Sequence, residues 1–125
     1  RYVGTINRNP VILFGSSFSA SLCLLAAVNN PRVKAVVAFS PGEYFQPRLT
    51  ISREVSNLDK QVFVGATRQE SVYLKKMLAG IPPAQVTLFS PEKSEGVRGV
   101  KALEGQHAAR DEYWFALTMF FRKLV

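Results

Sequence analysis

At 125 residues and 47% hydrophobic content, the chain is long enough for one domain with a buried core and no longer. Sixteen Lys and Arg against nine Asp and Glu leave a formal charge of +7. This favours an anionic partner or surface, yet the basic residues are scattered from Arg1 to Lys123 without a run or a basic face interleaved with aromatics, so no nucleic-acid interface is expected. The single cysteine, Cys23, excludes an intramolecular disulfide, no apolar run is long enough for a membrane span, and no signal-peptide pattern is visible, which leaves the compartment open.

In chain order, Val11 to Gly15 is a short continuous apolar run, the pattern of a strand buried on both faces. Residues 18 to 29 are apolar nearly all round and predict a central, deeply packed helix that includes Cys23 as a small buried hydrophobe; Asn29-Asn30-Pro31 stops it. Val33 to Phe39 is a second, β-branched strand ending at Ser40-Pro41-Gly42. Residues 43 to 60 read as an irregular loop with a short helix near 52–58. Gln61 to Ala66 is the third strand, followed by a helix from about Gln69 to Ala79 that Gly80 and Pro82-Pro83 end. Gln85 to Phe89 is the fourth strand. A polar loop over 92–109 leads to a last helix, Asp111 to Leu124, with Tyr113, Leu117, Phe120, Phe121 and Leu124 as its core stripe. Strands alternating with helices predict an α/β fold, a parallel sheet with flanking helices in three layers.

The segment Gly15-Ser16-Ser17-Phe18-Ser19 joins the first strand to the first helix and matches the nucleophile-elbow pattern G-x-S-x-G with serine in the last place. A serine hydroxyl becomes a nucleophile only when it is exposed beside a base with N–H donors ready for the oxyanion. Strand and helix nearly touch at such a corner, so the positions two before and two or three after the nucleophile must be small. Gly15, Ser19 and Ala20 satisfy this for Ser17, whereas Ser16 and Ser19 as nucleophiles would place Phe14 or Leu22 in the crowded positions. The plainer readings are a serine cap on a helix N-terminus and a phosphate-cradling turn using Ser16, Ser17 and Ser19.

In an open parallel sheet the site lies beyond the carboxyl ends of the strands, which selects Glu43, Glu70, Glu92 and Glu95 and rejects Asp59. The order Ser, acid, His associated with the elbow then ranks Glu70 first and Glu43 as the alternative acid. Glu70 is equally an ordinary first-turn helix glutamate. The only histidine, His107, precedes the last helix, where a base is due in chain order and where a surface histidine also sits without a role.

With these elements in this order, nearly the whole chain resembles the C-terminal half, the last four strands, of an α/β-hydrolase, on the dienelactone-hydrolase-like branch. The residues that carry the likeness are Val11 to Ala27, Val33-Lys34-Ala35-Val36-Val37 through Ser40-Pro41-Gly42-Glu43-Tyr44-Phe45, Val62-Phe63-Val64 with Glu70, and Val86 to Pro91 with the aromatic last helix. The resemblance implies a serine hydrolase acting on a carboxylic ester or similar small acyl substrate, without metal or organic cofactor. Ser17 would attack, His107 would shuttle the proton, Glu70 would orient the imidazole, and the Phe18 N–H would stabilise the oxyanion. It also implies a partial domain, a piece of a longer hydrolase or an oligomer in which another copy covers the exposed edge of the first strand.

One departure points the other way. Relatives with a similar elbow carry the catalytic histidine in a Gly-x-His-Gly turn after the last strand, and this chain has Gly96-Val97-Arg98-Gly99. On that alignment Arg98 replaces the base and His107 is incidental. Arginine stays protonated near neutrality and is no general base. The alternative is thus a catalytically inactive relative or half-domain serving as a binding or interaction module.

Overall fold

The structure is a computed structural model that describes residues 11–28, 30–44, 46, 50–91, 95–104, 107 and 109–124. Four strands, β1 (Val11–Ser16), β2 (Val33–Phe39), β3 (Gln61–Gly65) and β4 (Val86–Phe89), form one all-parallel sheet in the order β1-β2-β3-β4. Helix α1 (Phe18–Ala27), the short α2 (Ile51–Glu54), which runs into a 3₁₀ turn over Val55–Asn57, and α3 (Arg68–Met77) join successive strands. Helix α4 (Arg110–Leu124) follows β4. Parallel neighbours need such crossovers, because a tight hairpin can join only antiparallel strands.

The period-2 alternation of the strands sorts two cores. Val36 and Ala38 of β2 and Val62 and Val64 of β3 pack with Ala20, Leu24, Ile51, Val55, Leu74 and Met77 on the face carrying α1 to α3. Ala35, Val37 and Phe39 of β2 and Phe63 of β3 point the other way, onto Tyr113, Leu117 and Phe120 of α4. The result is the three-layer α/β arrangement that the alternating elements predict.

Four expectations of burial change. Among the described residues β1 is an edge strand, and Ile12 (42% exposed) and Phe14 (48%) are open instead of buried on both faces. For the same reason α1 is not central: only Ala20, Ser21, Leu24 and Ala27 are buried, while Phe18 and Leu22 face outward. Cys23 is half-buried, and that partial burial pushes its thiol pKa up. The α4 stripe buries Tyr113, Leu117 and Phe120 but leaves Phe121 exposed, since no layer lies beyond α4 on that side of the helix among the described residues. The predicted loop after β4 contains a 3₁₀ turn over Gly99–Leu103, and the predicted stop at Asn29 lies outside the described residues, as does Glu92. No helix is long and apolar enough to cross a membrane among the described residues.

Candidate active site

The corner between β1 and α1 has the geometry that the spacing demands. Ser17 has φ 54° and ψ −115°, a positive-φ conformation that residues other than glycine rarely adopt. Its N–H donates to Phe39 O at 2.8 Å, which ties the turn to the end of β2. A Cβ at Gly15 would stand 2.5 Å from Ser19 O and 2.8 Å from Ala20 N, so the helix backbone rests directly on the strand and only glycine fits.

Ser17 does not cap α1 with its side chain. Ser19 ties the turn instead: its Oγ accepts from Ser16 N–H and donates to Ser16 O, both at 2.8 Å. Ser16 Oγ accepts from Val100 N–H at 2.8 Å. Two of the three hydroxyls in the phosphate-cradle reading are therefore engaged within the protein. The Ser17 hydroxyl has no hydrogen bond among the described residues and stays half-exposed. Phe18 begins α1, where its N–H belongs to the first turn, and its ring stands edge-on to Tyr44 at 5.6 Å.

Glu70 takes the first-turn helix position foreseen for it. At the third position of α3 it completes a capping box with Thr67: its N–H donates to Thr67 Oγ1, and its Oε1 accepts from Thr67 N–H, each at 3.0 Å. The same carboxylate, 7% exposed, accepts from Ser40 Oγ at 2.8 Å through Oε1 and from Arg98 Nη1 at 2.6 Å through Oε2. Arg98 Nη2 donates to Tyr44 Oη at 3.1 Å. Partial burial pulls the guanidinium pKa down, but Glu70, Tyr44 and Tyr73 together outweigh it and hold Arg98 above its ordinary value. Arg98 is cationic at any relevant pH.

The turn that carries Arg98 lies over the elbow. A Cβ on Gly99 (φ 72°) would be 2.8 Å from Ser16 Oγ and 3.5 Å from Ser17 Oγ. Gly99 N–H donates to Ser40 Oγ at 2.8 Å, and Val100 N–H donates to Ser16 Oγ, so the turn is stitched to the ends of both β1 and β2. Beside it a cleft of about 540 Å³ is lined by Thr67, Gln69, Glu70, Tyr73, Glu95, Gly96 and Arg98.

His107 is not brought to this cluster. Its Nε2 donates to Ala102 O at 2.9 Å, and its ring stands edge-on to Tyr113, 6.4 Å away, on the α4 side of the sheet. No hydrogen bond joins it to Ser17 or Glu70 among the described residues; the carboxylate accepts instead from Ser40, Thr67 and Arg98. Glu43 is likewise engaged elsewhere: its two oxygens accept from Ile51 N–H at 2.6 Å and Ser52 N–H at 3.0 Å, capping α2. Glu95 accepts from Gln69 N–H at the start of α3.

Ser40 is the residue that sequence reasoning passed over. It is buried, has φ 58° before a proline, and bridges Glu70 to Gly99. Its only local signal is a serine closing an apolar strand at the end of the sheet where sites form. Among the described residues no group of three or more His, Cys, Asp or Glu is placed to hold a metal ion. Comparison of the chain with protein-family models, curated proteins and solved structures returned no match.

Proposed function

We propose that this chain is a catalytically silent relative of the α/β-hydrolases, a binding module in which an elbow serine has lost its base. The supporting observation is the 2.6 Å contact of Arg98 with Glu70, on the turn that passes over Ser17. A triad acid must hold an imidazole that faces the nucleophile; here the acid holds a guanidinium that cannot accept the serine proton. The cleft beside Arg98 then serves recognition of a small acyl-bearing molecule, with the Arg98 guanidinium as a donor in its wall. The open edge of β1 is covered by the remainder of a longer protein or by another copy.

A second reading is favoured by one observation, the positive-φ Ser17 whose hydroxyl has no hydrogen bond among the described residues, a conformation costly to keep without use. In it the chain is a serine hydrolase for a small carboxylic ester, with Ser17 as nucleophile, His107 as base, Glu70 as acid and Phe18 N–H as oxyanion donor. Labelling with a fluorophosphonate separates the two. The first reading predicts no Ser17-dependent labelling of the wild type, and labelling plus ester hydrolysis gained by Arg98→His, roughly 10²-fold or more above background for a restored general base. Wild-type labelling lost in both Ser17→Ala and His107→Ala would overturn it in favour of the hydrolase.

A further inference from the structure

Opposite the β1 edge, α4 and the other edge strand enclose a groove of about 620 Å³ that none of the foregoing uses. Its walls are Phe89 of β4 with Phe115, Ala116, Met119 and Phe120 of α4, and Thr87, Arg122 and Lys123 complete it. Phe115 is 70% exposed, the most open aromatic of the helix. An apolar concavity of this size with a few polar groups is the usual form of a small-molecule site.

The two cations sit at one end. Tyr113 lies 5.4 Å from Phe89 at the carboxyl end of β4, whereas Phe120 lies 5.6 Å from Phe63, the register partner of Thr87. α4 therefore runs back against the strand direction, and Arg122 and Lys123 in its last turn lie toward the Thr87 end. Among the described residues no acidic side chain lines the groove. The chemistry is an apolar trough closed by positive charge.

We propose that this groove binds the aliphatic chain of a monomeric fatty acid, its carboxylate paired with Arg122 and Lys123. Charge complementarity selects this occupant: an apolar tail without a head group would leave both cations unused. Strand addition is disfavoured because β4 offers only four residues as a template.

Isothermal titration of the full chain with dodecanoate below its micelle concentration, and with dodecanol as the uncharged probe, tests the assignment. Saturable one-to-one binding of dodecanoate is expected. Arg122→Gln with Lys123→Gln should weaken dodecanoate about tenfold, as for two solvent-exposed ion pairs, and leave dodecanol unchanged. Phe115→Glu should abolish both, and Met119→Glu provides the same block should Phe115→Glu lose its helical spectrum. The proposal is overturned by the absence of saturable dodecanoate binding, by equal affinity of the double variant, or by binding to anionic phosphatidylglycerol vesicles without binding of the monomer. A wild-type dimer that Phe115→Glu converts to monomer in sedimentation would assign the groove to a second copy instead.

Discussion

Replacing Ser40 with alanine removes one hydroxyl that serves two partners. Its Oγ donates to the ionised Glu70 and accepts from the buried Gly99 N–H, both at 2.8 Å, and Ser40 itself has no exposed surface. A hydrogen bond to a charged group contributes about 1.5–3 kcal/mol, and a buried N–H left without a partner costs about 1–3 kcal/mol. The two share one atom, so a combined loss of about 3 kcal/mol is expected rather than their full sum. Alanine gains no advantage at φ 58°, so backbone strain does not offset the loss. Urea unfolding measures the difference directly. In a thermal melt about 3 kcal/mol corresponds to roughly 11 °C, taking an unfolding entropy of about 2.1 cal/mol/K per residue. The informative contrast is Arg98→Ala, which breaks an ion pair whose cation is 57% exposed: water replaces the guanidinium there, and a loss of only about 1 kcal/mol is expected. A Ser40→Ala loss below that of Arg98→Ala would refute the view that the site is held by its buried hydroxyl.

Gly15→Ala should destabilise the chain by at least about 2–3 kcal/mol in urea unfolding, because the added methyl meets helix backbone that no rotamer change can move aside; a near-neutral effect would mean that the β1–α1 corner is looser than its contacts imply. Burial raises the Tyr113 pKa, so the folded state prefers the neutral phenol, which donates to Ala66 O at 2.7 Å and accepts from Val97 N–H. Its contribution is complete below the ordinary tyrosine value of about 10 and is lost as pH rises through the higher folded value; Tyr113→Phe should flatten that alkaline decline in stability, and an unchanged decline would remove Tyr113 as its source. Cys23, with its thiol pKa raised by burial, should react with a disulfide reagent at mildly alkaline pH more slowly than a free thiol and reach the free rate in urea, as monitored by chromophore release.

Much of the fold was legible because its signals are local. The strands expected from Val11, Val33, Gln61 and Gln85 each became a parallel strand within a residue or two of the expected bounds. The requirement for a small residue two before Ser17 is likewise a matter of neighbours in sequence, and the 2.5 Å approach at Gly15 bears it out. What spacing alone left undecided was burial on the outer strand. Val11 to Phe14 carry the composition of a doubly covered strand, and their edge position among the described residues leaves Val11, Ile12 and Phe14 open.

The partner of Glu70 belongs to that second category. Sequence order admitted either His107 or Arg98, 37 and 28 residues further along the chain, and no periodicity ranks two such distant side chains. The tertiary structure decided it, because the strand order sets the loop after β4 beside the ends of β1, β2 and β3. There Ser40 and Ser16 pin the turn so that Arg98, and not His107, reaches the carboxylate. Secondary structure and the strained serine corner follow from short-range sterics and hydrophobic periodicity, and were therefore readable from the sequence by itself. The identity of the group facing the acid follows from long-range packing, which only the assembled sheet determines.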